Sequence, residues 1–294
     1  MLITSGSVSC KLAKKIAMIL DVPYVSVHLQ HFPDDEIMAR ADDQFNQQEV
    51  IVIQSTSPPV NHNLMELFLL LNCLSKHHSR RIILVMPYFG YARQDKSIPN
   101  ESSAAELIIK LLSSFNIDHL ITLDLHSEDI IKKYSGKFTH LTNCQLFAKL
   151  LSVKKDSVVV APDRGGYNRA KQLADLLKLQ LVQMDKTRNN QAVIYQQSLN
   201  SDIAGRDCLI VDDIIDSGKT ICQAADILHH NRAASINAIV THGIFAEGCI
   251  ERLEASPIAK LYVSDSIDKE NLICDKITTL STAEIFARWL RLCC

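Results

Sequence analysis

None of the nine cysteines, at positions 10, 73, 144, 208, 222, 249, 274, 293 and 294, forms a C-x-x-C pair, and no spacing resembles a zinc module. An odd, unpaired set argues against a disulfide framework and for reduced, mostly buried thiols, as expected of a cytoplasmic protein. A basic excess is missing too: 31 Lys and Arg stand against 33 Asp and Glu, a net charge of −2. That removes the electrostatic footprint needed to bind along a nucleic-acid backbone, though a local phosphate site stays open. No apolar run approaches the 18 or more residues that span a bilayer, so no membrane partner is expected. Low-complexity tracts and internal repeats are also absent. The first twenty residues set Lys11, Lys14 and Lys15 among Leu12, Ile16 and Leu20, which reads as an amphipathic helix and not as a signal peptide.

What is present is the composition of a folded globular chain. Hydrophobic residues make up 47% and charged residues 22% of 294, enough for two ordinary domains. Short apolar runs recur at 50–53, 81–86, 119–123, 157–161, 180–184, 208–211, 236–240 and 260–263. Helix-like stretches at 63–74, 104–113, 145–151, 168–177 and 220–229 alternate with them. This rhythm predicts an α/β fold with parallel sheets flanked by helices. The polar segment 136–142 separates two such series and reads as a connection, giving domains 1–141 and 142–281. The last helical pattern, 282–294, presents Ile285, Phe286, Trp289 and Leu290 on one face and fits either domain.

In open parallel sheets ligands collect beyond the carboxyl ends of strands. Those positions are unusually polar here. The run ending at Met86 leads to Arg93-Gln94-Asp95, and the run ending at Leu123 to Asp124-Leu125-His126. Ala161 leads to Pro162-Asp163-Arg164-Gly165-Gly166, and Met184 to Asp185-Lys186-Thr187-Arg188. Val211 leads to Asp212-Asp213 and then Asp216-Ser217-Gly218-Lys219-Thr220. The last of these offers hydroxyls and backbone N–H groups at a positive helix terminus, suited to a phosphate monoester. The carboxylates before it suit sugar hydroxyls or a hydrated Mg²⁺. Gly218-Lys219-Thr220 does not complete a Walker A loop, which requires Gly where this chain has Asp213.

The Asp-Asp-x-x-Asp-Ser-Gly-x-Thr run from Asp212 to Thr220 resembles the phosphoribosyl diphosphate loop of type I phosphoribosyltransferases and of ribose-phosphate diphosphokinases. The loop alone does not separate the two. Phe32-Pro-Asp34-Asp35-Glu36, Gln54-Ser55-Thr56, the Asn63–Leu67 run, the Pro87–Asp95 run, Asp124-Leu125-His126 and Pro162–Gly166 resemble the diphosphokinase motifs, in that family's order. The resemblance implies two tandem type I phosphoribosyltransferase-like domains meeting at an active site. It implies transfer of the β,γ-diphosphoryl group of ATP to the C1 hydroxyl of ribose 5-phosphate, giving phosphoribosyl diphosphate and AMP. By the same resemblance Phe32, Asp34, Glu36, Arg93, Gln94 and Asp95 bind ATP, the Phe32 loop commonly reaching a neighbouring subunit. His126 and Asp163 match Mg²⁺ positions. Asp212, Asp213, Asp216, Ser217, Gly218, Lys219 and Thr220 match the ribose 5-phosphate loop, and Lys186 and Arg188 the cations of the catalytic loop. A homo-oligomer, dimer or hexamer, is implied as well.

Singly, these residues have plainer readings: Phe32 as core, His126 as a buried satisfied histidine, Arg93–Asp95 as a solvated loop, and Lys186 with Arg188 as a charged turn. Their joint order outweighs these readings. A phosphoribosyltransferase would need one such domain and no ATP-like motifs, and a non-catalytic regulatory relative would be expected to lose catalytic groups. The chain departs from many bacterial members at 96–106, where an Arg-rich stretch is missing. Lys219 stands where synthetases most often carry Gly and is expected to face solvent.

Overall fold

The computed structural model describes residues 1–96, 103–184, 186–189, 192–195, 203–269 and 272–293, the segments 186–189 and 192–195 by their backbone alone. Two compact units divide the chain. Unit 1 comprises Met1–Thr142, Asp265–Asp268 and Ser281–Cys294; unit 2 comprises Asn143–Ser264 and Lys269–Leu280.

Unit 1 opens with β1 (Leu2–Ser5) and α1 (Cys10–Leu20), followed by β2 (His28–His31) and β3 (Ile37–Arg40), which pair antiparallel. Then come β4 (Glu49–Ile53), α2 (Val60–Lys76), β5 (Arg81–Met86), α3 (Ala104–Leu112), β6 (His119–Leu123) and β7 (Lys137–Leu141). Five strands form a parallel sheet in the order β1-β4-β5-β6-β7. Successive side chains of a strand point to opposite faces, so runs such as EVIVI and RIILVM feed two cores at once. Val50, Val52, Leu84 and Met86 face α2 and α3, while Ile51, Ile53, Ile83 and Val85 join Leu12 and Ile16 of α1.

Unit 2 holds α4 (Cys144–Leu150), β8 (Val158–Ala161), α5 (Tyr167–Leu177), β9 (Gln180–Gln183), and the antiparallel pair β10 (Lys186–Asn189) and β11 (Ala192–Tyr195). It continues with β12 (Asp207–Ile215), α6 (Lys219–His230), β13 (Ser235–Gly243), α7 (Cys249–Ala255), β14 (Lys260–Ser264) and β15 (Ile277–Leu280). Its six-stranded sheet runs β15-β14-β13-β12-β8-β9, all parallel. Val158, Val160 and Ile210 pack under α6 and α7, and Val159, Leu209 and Val211 under α4 and α5.

The final helix, α8 (Ala283–Cys293), belongs to unit 1. Phe286 and Leu290 are fully buried against the α1 side of the first sheet, and Trp289 meets His119 edge-on at 4.7 Å. Asp265 anchors its start by accepting from the Thr282 backbone N–H at 2.7 Å and from its hydroxyl at 2.8 Å. No helix among the described residues is long and apolar enough to cross a membrane.

Two elements differ from the sequence reading. Residues 137–141 form β7 and are not a plain connection: Phe138 and Leu141 are partly buried, while the strand's edge position tolerates its polar neighbours. The strand expected to stop at Val211 continues to Ile215, because parallel pairing with β13 persists to Ile215 opposite Gly243. Asp212 and Asp213 therefore lie inside a strand.

Candidate active site

In unit 2 the chain goes from β8 outward to β9 and then crosses to the opposite flank of β8 to enter β12. This reversal is where ligands bind in open α/β sheets. Two loops leave the carboxyl ends of strands there. After β8, Asp163 accepts from the Gly166 backbone N–H at 3.1 Å, which turns the chain into α5. A Cβ on Gly166 would stand 3.5 Å from the Val211 carbonyl oxygen, so β8's loop runs close beside β12.

After β12 comes the loop Asp216–Thr220. Gly218 has φ +75°, the left-handed conformation that a side chain resists, and α6 starts at the next residue. The loop's carbonyls are occupied. The Asp216 oxygen accepts from Ala246 N at 3.0 Å, that of Gly218 from Cys222 N at 3.0 Å, and that of Ser217 from the Arg252 guanidinium. Among the described residues, no acceptor meets the backbone N–H groups of Ser217, Gly218, Lys219 and Thr220. Donors without acceptors at the positive end of a twelve-residue helix make an anion cradle. Ser217 and Thr220 are half-buried beside it, and Lys219 is exposed.

Below the cradle the carboxylates crowd together. Asp213 is only 5% exposed and pairs with the Arg169 guanidinium of α5 at 3.4 Å. Its backbone N–H donates to Asp212 Oδ1 at 2.9 Å. Burial, and next the Asp213 charge, push the Asp212 carboxyl well above the usual carboxylate range; Asp163 adds to the rise and Arg169 opposes it. This concentration of oxygen acceptors suits hydroxyl donors of a sugar or a hard cation.

In unit 1, Phe32, Asp34 and Glu36 occupy the turn joining β2 and β3. Phe32 N donates to the Glu36 carbonyl at 2.9 Å and Glu36 N to Asp34 Oδ1 at 3.3 Å. Phe32 is 40% exposed, so it is not a core residue. Arg93 and Gln94 are exposed and Asp95 half-exposed, in the loop after β5; the Gln94 carbonyl accepts from Ala105 N at 3.2 Å and so ties the loop to α3. His126 is exposed beyond the carboxyl end of β6, which excludes the buried-histidine reading. Lys186 and Arg188 lie on β10, paired with Tyr195 and Val193 of β11, and their side chains fall outside the description. The departure at 96–106 falls largely on residues 97–102, which are likewise outside the described residues.

Sequence reasoning missed Arg169 and Arg252. Each sits on an amphipathic helix, 44 and 35 residues from the group it contacts, and carries no local signal. Only the pairing of β8, β12 and β13 brings them in.

Residues 1–115 match the family described as the N-terminal domain of ribose phosphate pyrophosphokinase, and residues 145–255 the phosphoribosyl transferase domain. A ribose-phosphate pyrophosphokinase of Granulibacter bethesdensis is 35% identical over 286 residues, covering 95% of this chain and 92% of its own. One from Bacillus caldolyticus is 37% identical over 281 residues, covering 94% and 89%. The solved phosphoribosylpyrophosphate synthetase of Mycobacterium smegmatis superposes with a TM-score of 0.89 at 29% identity, covering 99% and 98% of the two chains. With relatives this similar along almost their whole length, and both of its units matched, the chain belongs to the ribose-phosphate pyrophosphokinase family.

Proposed function

We propose that the chain transfers the β,γ-diphosphoryl group of ATP to the C1 hydroxyl of ribose 5-phosphate, releasing AMP. The observation that carries this reading is the match along both units, since a phosphoribosyltransferase would account for the second unit alone. The anion cradle at Ser217–Thr220 takes the 5-phosphate, and Asp212, Asp213 and Asp216 accept from the ribose hydroxyls. Phe32, Asp34 and Glu36 contact the adenine, and Arg93, Gln94 and Asp95 hold the rest of ATP. Protein residues in phosphoryl transfer mainly align the attacking oxygen with phosphorus and neutralise charge. Lys186 and Arg188 fill the second role, over the diphosphate, where such contacts matter most in the transition state.

Mg²⁺ fits the donor chemistry of the site. Asp163, Asp212 and Asp213 are hard oxygen donors, and the upward push on Asp212, set first by burial and next by the Asp213 charge, is one that a bound cation would oppose. Among the described residues, neither His126 nor Asp163 belongs to a ready three-ligand group. Mg²⁺ needs none, because it keeps several waters and binds through one or two protein groups plus substrate phosphates. When bound, it supplies charge neutralisation on the phosphate oxygens. A homo-oligomer working in the cytoplasm completes the proposal, with the exposed Phe32 turn available to a neighbouring subunit.

The test is turnover of ATP labelled in the β-phosphate, with Mg²⁺ and ribose 5-phosphate. Label in the sugar product together with AMP supports the reading; ADP with a singly phosphorylated sugar overturns it. No turnover at all would favour the non-catalytic relative.

A further inference from the structure

We propose that His31, His62 and Glu66 of unit 1 form a binding site for a divalent transition-metal ion of the zinc class, at the foot of the Phe32–Glu36 turn. His31 ends β2, while His62 and Glu66 lie one turn apart on α2 and so share a face of that helix. One ligand atom from each lies within 4.8 Å of the others. The two imidazoles stack, with centroids 5.0 Å apart and planes inclined by 12°.

Proximity of three such residues is common and would carry little by itself. Glu66 supplies the independent observation. Its side chain is 0% exposed, and Oε1 accepts from Ser7 N at 2.8 Å, Ser7 Oγ at 3.0 Å and Gln54 Nε2 at 2.7 Å. Oε2, equally buried, has no hydrogen-bond partner. Leaving a buried carboxylate oxygen unsatisfied is costly, and such an orphan in a folded protein calls for a water or an ion. The three donors on Oε1 fix the carboxylate's orientation, as outer hydrogen bonds do for metal-ligating carboxylates.

Two imidazoles and one carboxylate are a zinc-type donor set with a position left for water. Nitrogen donors favour such an ion over Mg²⁺ or Ca²⁺, which select oxygen. Tetrahedral bonds of about 2.0–2.1 Å set ligand atoms roughly 3.3 Å apart, so closure from a spread of 4.8 Å asks the imidazoles to approach a fixed carboxylate by up to about 1.5 Å. His31 is exposed and His62 half-buried, which leaves both room to do so. The bound ion would pin the β2–β3 turn to α2.

The experiment uses the untagged full chain, stripped with chelator and titrated with Zn²⁺ against a chromophoric chelator in millimolar Mg²⁺. Wild type is expected to hold one zinc more per chain than a His31→Ala/His62→Ala double variant. Each single variant should weaken that zinc at least tenfold, while His28→Ala, at the far end of β2, leaves it unchanged. Co²⁺ in place of Zn²⁺ should give visible ligand-field bands that vanish in His62→Ala. Because His31 is exposed, its variant folds whatever happens to buried Glu66→Gln, and melting curves verify this. Equal zinc content and affinity in wild type and double variant would overturn the site, as would loss of the same zinc in His28→Ala.

Discussion

Replacing Gly218 with alanine perturbs the candidate phosphate cradle at a single atom, and two independent costs can be worked out. The residue keeps φ +75° to turn β12's loop into α6, and an L-residue in that conformation costs about 1–2 kcal/mol. The added Cβ would also stand 3.0 Å from the Sγ of Cys249, the fully buried first residue of α7. Overpacking of this kind costs about 1–3 kcal/mol, the low end applying to one contact. The sum is roughly 2–3 kcal/mol, or about 4–12 °C in the melting transition of a unit this size. The costs separate in a double-mutant cycle. Cys249→Ala removes the sulfur and leaves 3.7 Å to the nearest remaining atom, the Cys249 carbonyl oxygen. The double variant should thus recover about 1 kcal/mol of the contact cost and none of the backbone cost. Urea unfolding of the four proteins measures this, with the Michaelis constant for ribose 5-phosphate as a parallel readout. A Gly218→Ala variant within about 0.5 kcal/mol of wild type, or an additive cycle, would refute the reasoning.

Asp212→Asn tests the crowded carboxylates. Burial and Asp213 hold the Asp212 carboxyl above its unfolded value of about 3.9, so the stability from its proton is complete below that value and lost as pH rises through the folded one. The substitution should therefore raise the melting temperature more at pH 8 than at pH 4 while weakening ribose 5-phosphate about tenfold or more; equal shifts at both pH values would be the wrong outcome. Phe286→Ala should destabilise unit 1 by about 3–5 kcal/mol in urea, and a loss below about 1 kcal/mol would show that α8 contributes little. Lys219→Gly should raise the Michaelis constant for ribose 5-phosphate less than about tenfold, under about 1.4 kcal/mol, because the amides do the holding; Asp216→Ala should do far more, and equal effects would count against it. Lys186→Ala should lower kcat by roughly 10² with KM far less affected, and equal losses would point to ground-state binding.

How much was legible beforehand follows from the range of the forces involved. The central strands announced themselves because burial on both faces makes EVIVI, RIILVM and VVVA continuous apolar runs. The β2–β3 pair did not, because neither HLQH nor IMAR holds a fully buried residue and no long run of apolar side chains marks them. β7 hid for the same reason, as an edge strand written in polar residues. In the candidate site, Asp212–Thr220 was readable because a phosphate cradle is built from consecutive residues. Arg169 and Arg252 were not, since their contacts exist only once α5 and α7 have docked beside β12.

The placement of α8 separates the order of synthesis from the order of completion. Unit 1 begins at the first residue, yet Ile51, Ile53, Ile83 and Val85 wait for Phe286 and Leu290 before that side of the sheet is closed. Every segment of unit 2 has been made by then. At about 5–20 residues per second, the stretch between Thr142 and Ala283 keeps a nascent chain in this half-covered state for roughly 7–28 s. For that interval the apolar face is open to chaperones, or to the same face of a neighbouring chain on the polysome. A stalled or clipped product ending before Ala283 would carry the defect permanently, and the unit it damages is the one translated first.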